Sequence, residues 1–580
     1  MDEKKRIGNY IDLADYVCRR YGEMDSETHN WKERWEEVTE YFLPRKNKIY
    51  EHTHNTHTRG DRRHNVIDST GIRANEVFAN AMHSMLTNPT IQFFEYSTGN
   101  PQLDGITAVR KYLEERGEII HSLINESNFH TEIHECYLDL GVLGTDVLRV
   151  EEDDERIVNF ESRPINEFRV KENAYGEIDQ VGRVKLMDGH QILSKFGDKW
   201  IMDHFKDQFD GMDGYEEMAE DYKYKLIESA KKHERHEVIE FIQPKKIYKL
   251  DGMKVKSRKA HVMCYVLKKN KMLIKETGYN ERIYSISRLM KSSGEHLGRS
   301  FAMSCLGDMM TLNELKKIII QGAHFNVKPP ILIPDDNTYG SFKLFPGAMN
   351  FVRPGTSDEI RPFNPNSNHN IGLDLLERLG TDIREAFLND KLELPNLART
   401  NQEGVRSTRD ENLRHMSPIL SRQHNEKLVP IIARVDAIAE RRGLFDDLAL
   451  PEELKGNSIS INFTSAIARV QRKELAENAN LLLGNVINLA QAKEDPTILD
   501  IIDEDAYVRY VGFGLSSPSK ILRTKAEMEE RMEQAKQQQE QQRALAVQQA
   551  EAATVKDATA AAQAADGLST EGLEAIAQEA

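Results

Sequence analysis

The chain has 580 residues but only four cysteines, at 18, 136, 264 and 305. No two of them make a Cys-x-x-Cys pair, so neither a disulfide framework nor a zinc knuckle is expected; buried reduced thiols are the simpler reading. No Gly-Lys dipeptide occurs, which removes a Walker A phosphate loop. No Gly-x-Gly-x-x-Gly follows a strand pattern, and Gly141-Val142-Leu143-Gly144-Thr145 is too short and opens no helix. Gly-x-Ser-x-Gly is missing as well. Nothing in the sequence assembles a nucleophile, a base and an oxyanion hole, so no enzymatic activity and no cofactor are expected. No apolar run approaches the roughly 18 residues that a membrane span needs. The start, Met1-Asp2-Glu3-Lys4-Lys5-Arg6, has no apolar stretch after its charges, so the expectation is a chain without a secretory signal, assembled in a cytosol.

Positive charge is also in short supply. Lys and Arg number 78 against 94 Asp and Glu, a net charge of -16. Proteins that grip nucleic acid with their surface are usually basic, because affinity comes from neutralising phosphates. This balance argues against a sequence reader. It is compatible with a conduit, in which sticking would be a fault. An apolar content of 39% and a charged content of 30% describe a globular protein with a wet surface, and the length implies several domains.

What is present is mainly helical at first. Trp31, Trp35, Val38 and Phe42 fall at i, i+4, i+7 and i+11, which predicts a helix over 26–42 that Pro44 stops. Core packing is the expected role of both Trp. Asp68-Ser69-Thr70-Gly71 offers N-caps for a helix with Ala74, Val77, Ala81 and Met85 on one face, ending near Pro89. Further helices are predicted over 106–126 and 129–143. His52, His54, His57 and His64 lie in a polar stretch where no carboxylate or Cys completes a ligand set at useful spacing, so a solvated loop is expected there. His130-Thr131-Glu132-Ile133-His134 only superficially suggests a zinc protease. Glu132 lies about 200° round the helix from His130 at 3.6 residues per turn, facing away from the two histidines.

From about Asp146 the period changes to two. Strands are predicted at 146–150, 156–160, 167–171, 178–186, 236–242, 260–268, 271–275 and 282–287, with charged helical sequence over 191–232. The run Glu151-Glu152-Asp153-Asp154-Glu155 reads as a solvated turn. The fold class is therefore α+β, mainly α.

The stretch Gly298–Ala439 organises the rest. Leu306, Met309, Leu312, Leu315 and Ile319 line one helix, and Ile371, Leu375, Leu379, Ile383 and Phe387 line a returning one. Between them, residues 328–369 carry seven of the 18 prolines together with Ile331-Leu332-Ile333 and Phe342-Lys343-Leu344-Phe345, the pattern of a small strand-and-turn module. A loop over 391–405 leads to the capping box Thr408-Arg409-Asp410-Glu411. The long helix beyond it has Leu413, Met416, Leu420, Leu428, Ile431, Val435 and Ile438 on its stripe. His424 sits on it too, and Pro418 and Pro430 should kink it. A helix with Val470, Ala479, Leu482, Val486 and Leu489 on one face comes next, then a transition at 503–515 and a Gln- and Ala-rich tail from 526.

Trp31-Lys32-Glu33-Arg34-Trp35, Asp68-Ser69-Thr70-Gly71, Leu86-Thr87-Asn88-Pro89, Gly294 to Ser300, Thr311-Leu312-Asn313 and Lys328-Pro329-Pro330 come in a telling order. So do Gly404-Val405-Arg406, Pro418, Glu426, Pro430, Arg434 and Phe463-Thr464-Ser465-Ala466. Together they resemble the head-to-tail connector, or portal, family of short-tailed double-stranded-DNA bacteriophages. Phe301 stands where that family usually has Pro.

The resemblance implies a portal fold with wing, stem, clip and crown, assembled as a ring, typically a dodecamer, at one capsid vertex. Mapped onto this chain, it implies a wing over 1–294 and a spine helix of the wing over 405–450. Stem helices would span 295–327 and 370–390 and a clip 328–369. The channel loop would be 391–404, the crown 451–525 and the C-terminal tail 526–580. The implied partners are double-stranded DNA in the channel, a separate terminase motor, major capsid and scaffolding proteins, and tail adaptor or tail tube proteins, with no membrane. The implied locations are the virion and, during assembly, the host cytoplasm. DNA-facing candidates are Lys316, Lys317, Lys391, Arg399 and Arg406. No metal site is expected. The alternative is a nucleic-acid-processing enzyme with an unrecognised site.

Overall fold

The computed structural model describes residues 4–46, 66–100, 103, 106–208, 215–232, 234–334, 343, 345–352, 360–362, 369–392, 414–454, 460–462, 466–493, 501–515, 528, 531–538 and 540–543. The histidine-rich stretch 52–64, Arg399, Arg406, the capping box at 408–411 and the end of the tail lie outside them. The chain divides into two compact units. One comprises Met1–Ser97, Glu115–Ala449 and Ile459–Lys473; the other comprises Thr98–Glu114, Leu450–Ser458 and Glu474–Ala580.

The fold is α+β and mainly helical. In the first unit, helices α1 (Lys4–Glu27), α2 (His29–Phe42) and α3 (Thr70–Leu86) come first. The helix predicted over 26–42 is α2, while residues 26 and 27 belong to the end of α1. The chain turns at Thr28, whose hydroxyl donates to Met24 O and so does not cap α2. A short strand β1 (Glu95–Ser97) precedes α4 (Thr107–Glu126) and α5 (Phe129–Leu143).

The period-two region forms two antiparallel sheets. Strands β2 (Thr145–Asp153), β3 (Ile157–Arg163) and β9 (Tyr284–Arg288) pair in the order β3-β2-β9. Strands β4 (Phe168–Glu172), β5 (Ile178–Asp188), β6 (Arg235–Pro244), β7 (His261–Leu267) and β8 (Met272–Tyr279) form a five-stranded meander. Alternation decides what covers each face of the meander. Ile239, Phe241, Val262, Cys264 and Val266 point to Leu13, Val17 and Tyr21 of α1. Val238, Ile242, Met263 and Tyr265 point the other way, to Trp35 and to Ile192, Trp200 and Leu226. Those last three belong to α6 (Gly189–Phe196), α7 (Lys199–Gln208) and α8 (Tyr215–Lys231). A short helix, α9 (Lys245–Leu250), links β6 to β7. Cys136, Cys264 and Cys305 are buried and all four thiols are free.

In the stretch Gly298–Ala439 the described elements run helix, small sheet, returning helix and long helix, and 393–413, with most of the predicted 391–405 loop, lie outside the described residues. A short helix α10 (Phe301–Ser304) breaks at Cys305 and continues as α11 (Leu306–Val327). Strands β10 (Ile331–Pro334), β11 (Met349–Val352) and β12 (Arg361–Pro362) come next, with β10 parallel to β11 and antiparallel to β12. Helix α12 (His369–Ala386) then returns antiparallel to α11. Gly372 lies against the Ile319 side chain, and at the other end the Phe387 and Phe301 rings are 5.9 Å apart. Leu388, with a positive φ of 58°, turns the chain into α13 (Asn389–Leu392).

The long helix comprises α14 (414–423), a π-helical turn His424–Leu428 and α15 (Val429–Arg441). The α-helix runs on through Pro418. The departure from α geometry comes in the turn before Pro430, which has no N–H to offer the preceding turn. Strand β13 (Ser460–Asn462) pairs with β1, and α16 (Ala466–Lys493) begins after it.

In the second unit, the stretch predicted as a transition at 503–515 is instead helical, α17 (Glu504–Gly514), with Tyr507 donating to Asn480 Oδ1 at 2.5 Å. Leu482 and Leu489, expected on the packed face of α16, are exposed; Ala476 and Ala490 are buried.

Candidate functional site

Three junctions hold the α10–α15 region against the sheets and α3. At the first, Asn313 of α11 accepts from Ile67 N (2.7 Å) and Asp68 N (3.2 Å). One turn on, Lys316 Nζ donates to Asp68 Oδ2 at 2.8 Å, and Asp68 Oδ1 accepts from Thr70 N at 2.7 Å. The two motifs Asp68-Ser69-Thr70-Gly71 and Thr311-Leu312-Asn313 are therefore one clamp. Burial works against a charged Asp68, but the Lys316 ammonium and the Thr70 bonds outweigh it and hold the carboxyl below the usual carboxylate range.

The second junction is a backbone crossing. Gly144 ends α5 in the left-handed conformation, φ +75°, and a Cβ there would stand 2.4 Å from Gly298 O. A Cβ on Gly298 would stand 2.2 Å from Gly144 O. Thr145 Oγ1 accepts from Gly298 N at 2.8 Å, and Leu289 N donates to Gly144 O at 2.9 Å. Gly144, rejected as part of a phosphate loop, serves this close approach with Gly298, for which only a hydrogen side chain fits. Just beyond, Ser300 caps α10 by accepting from Met303 N at 3.0 Å. Phe301, where the resembled family has Pro, packs edge-on to Phe78 at 5.4 Å and tilted against Phe387.

The third junction docks the π-helical turn on β2 and β9 through buried polar groups. Lys427 and Asp146 form an ion pair with both side chains fully buried. Burial pushes the Lys427 ammonium down, to about 8. The face of the Tyr137 ring lies 5.1 Å from the ammonium. Asp146 also accepts from Ser287 N at 3.2 Å. Gln423 Nε2 donates to Arg288 O at 3.1 Å, and Ser287 Oγ donates to Gln423 Oε1 at 2.7 Å. Glu426 takes Arg288 through its Nε (3.2 Å) and Nη2 (2.6 Å), and Arg288 also pairs with Glu172. Because Pro430 cannot donate to Glu426 O, that carbonyl needs another partner. Ser285 Oγ lies 3.3 Å from it and 2.9 Å from Lys427 O.

Of these docking residues the sequence singles out only Glu426, as part of the family resemblance. A signal existed for Lys427, which lies at helical spacing from Leu420 and Ile431 and so on the buried side. Ser285 and Gln423 carry no such signal, because their partners are brought near only by the fold.

Of the DNA-facing candidates, Lys316 is engaged with Asp68. Lys317 is exposed, with Glu314 3.5 Å away, and Lys391 ends up beside Asp390 at 3.3 Å, on α13. Lys316 and Lys317 share α11; α12 and α13 both pack on α3. The acidic run at 151–155 is more than a solvated turn. Arg442 bonds Glu152 at 2.8 Å and Asp154 at 3.0 Å. Glu132 does not serve a metal either: it accepts from Ser162 N at 2.7 Å. Among the described residues, no group of His, Cys, Asp or Glu is placed to hold a metal ion, and no helix is long and apolar enough to cross a membrane.

Past Asn313, α11 loses its buried face. Ile318 (54% exposed), Ile320 and Val327 (78%) face outward, as do Leu373 and Leu375 of α12. The small sheet at their end exposes Phe345, Met349 and Phe351, with Ile360 beside it. Large apolar side chains are thus exposed along this part of α11, on α12 and on the small sheet.

The sequence profile of a family described as bacteriophage head to tail connecting protein matches residues 14–522. The chain is similar to the "Probable portal protein" of Bordetella phage BPP-1, with 24% identity over 505 residues and 85% of each chain covered. It is equally similar to the "Portal protein" of Salmonella phage epsilon15, with 24% identity over 504 residues, 84% of this chain and 85% of the other. The chain belongs to the bacteriophage head-to-tail connecting protein family.

Proposed function

We propose that this chain is a phage portal protein. Copies form a ring at one capsid vertex, through which double-stranded DNA is packaged and later ejected. The observation that carries the reading is the exposed apolar surface of α11, α12 and the β10–β12 sheet. A single copy leaves that surface in water, and a ring of copies buries it between neighbours. The family match along the chain supplies the connecting role, which is structural rather than catalytic.

In this reading residues 1–294 and 405–450 are the wing, 295–327 and 370–390 the stem, 328–369 the clip, 391–404 the channel loop, 451–525 the crown and 526–580 the tail. A dodecamer is the expected ring. The clip meets a separate terminase motor and then tail adaptor or tail tube proteins, while the wing meets the major capsid and scaffolding proteins. The protein resides in the virion after assembly in the host cytoplasm. The net charge of -16 favours sliding, since an acidic wall repels phosphates. Lys317, Lys391, Arg399 and Arg406 would make the brief, salt-screened contacts. Lys316 is the weakest of these candidates, because Asp68 already neutralises it.

The test is to image virions with a label on this chain. One labelled vertex per particle, the one that carries the tail, is the expected result. Label spread over all vertices, or absent from particles, would overturn the reading. Deleting 391–404 should leave rings intact and impair DNA packaging or retention; loss of the ring would refute the placement of that loop.

A further inference from the structure

Four histidines gather where α3, α4 and α5 meet. The His83 ring of α3 lies edge-on to His130 and His134 of α5, at 5.5 and 6.2 Å between centroids. Asn125 of α4 bridges two of the group, with its Nδ2 3.1 Å from His121 Nε2 and its Oδ1 2.8 Å from His130 Nε2. His134 Nε2 lies 2.9 Å from Asn80 Oδ1 of α3. Phe93 covers His121 and Phe129 covers His130, each edge-on. His121 Nδ1 is buried with no hydrogen-bond partner.

The surroundings supply almost nothing to offset positive charge. On α5, Glu132 is bonded to Ser162 N and Glu135 to Arg45 and Lys46. On α4, Glu126 is bonded to Ser122 Oγ and Glu114 to Arg110. Glu118, one turn before His121, and Glu76 of α3 are both exposed, and neither is among the groups that act on these imidazoles. Burial first, and then the neighbouring imidazoles, lower the pKa of His83 and of His130; burial alone lowers that of His121. The Thr87 backbone alone favours a charged His130.

We propose that His83, His121 and His130, backed by His134, form an acid-sensitive latch on the α3–α4–α5 packing. It is closed while the rings are neutral and released when they acquire protons together. The bridging amide of Asn125 is the key part. It can donate to one neutral ring and accept from another, but it carries no charge with which to hold two imidazolium groups. The folded-state pKa values of His83, His121 and His130 lie below the unfolded one, so the contribution of these three is full above about pH 6.5 and declines as pH falls through the lowered values. None of this depends on the portal reading.

Hydrogen exchange on the full-length assembly tests it. Between about pH 7.5 and pH 5.5, after correction for intrinsic exchange, protection over 78–86 and 119–134 should fall several-fold, while β4 and β9, which carry no histidine, stay unchanged. Two variants separate a latch from general acid lability. His83→Phe with His130→Gln removes two titrating rings and should flatten the pH response of these segments. Asn125→Asp places a carboxylate between His121 and His130 and should reverse the response, making the segments better protected at the lower pH. A wild-type response shared equally by β4 and β9, or an Asn125→Asp variant with the wild-type response, would overturn the proposal.

Discussion

Removing one member of the Lys427–Asp146 pair should damage the protein far more than removing both. Both side chains are fully buried where the π-helical turn meets β2 and β9. Breaking a buried pair leaves an uncompensated charge, at a cost of about 3–5 kcal/mol. Lys427→Met leaves Asp146 with its bond from Ser287 N, so the lower end, about 3 kcal/mol, is expected. Asp146→Asn keeps the shape but removes the counter-charge. Burial already pushes Lys427 to about 8, and without the carboxylate its pKa falls further. The folded state then holds fewer protons than the unfolded one between that value and the ordinary Lys value. The stability of Asp146→Asn should therefore rise with pH through this window. The double variant, Met beside Asn, buries no charge and should recover most of the loss, a coupling of about 2 kcal/mol or more in a double-mutant cycle. Thermal melts of the four proteins at about pH 7 and pH 9 provide the assay, spanning the Lys427 window. Additive single effects, or single losses below about 1 kcal/mol, would refute the reasoning, since that is the size expected of an exposed pair.

The same contacts set other expectations. Gly144→Ala and Gly298→Ala should each be severely destabilising or insoluble on expression, because the added carbon meets backbone that cannot move aside. Ser285→Ala should lower stability by about 1 kcal/mol through the carbonyls it leaves unpaired, and adding Pro430→Ala should recover part of that by restoring a donor to Glu426 O, read in the same melts. Asp68 contributes stability above the ordinary Asp pKa of about 3.9, and that contribution is lost as pH falls through its lowered folded value; in Lys316→Met acid melts should show this loss shrinking. Ile318→Arg combined with Leu373→Arg should yield folded protomers that no longer assemble, seen by size-exclusion chromatography with light scattering.

Much of the fold could be read from the sequence because its periods are clean. The alternation of Val262, Met263, Cys264, Tyr265 and Val266 marks β7, and both faces proved buried, under α1 on one side and α6–α8 on the other. The Met309–Leu312 face of α11 was equally visible, and the proline-rich insert proved to contain a small sheet. Helix breaks were not visible. The turn at Thr28 and the break at Cys305 carry no Gly or Pro. At the spine, Pro418 and Pro430 looked alike; only the second adjoins a non-α turn, and the sheet groups docked there were not legible. Charged residues were the hardest to place. Lys316 looked like a free cation on a helix face, but its partner Asp68 lies far back in the chain and joins it only in the fold. Gly144 looked like a failed phosphate loop because its partner, Gly298, is equally distant.

Negative-stain imaging of the purified full-length chain tests the central claim most directly. Rings with a central hole, typically of twelve copies, are the predicted result, with the surface of α11 and α12 buried between neighbours. A protein that stays monomeric at every concentration would contradict the account.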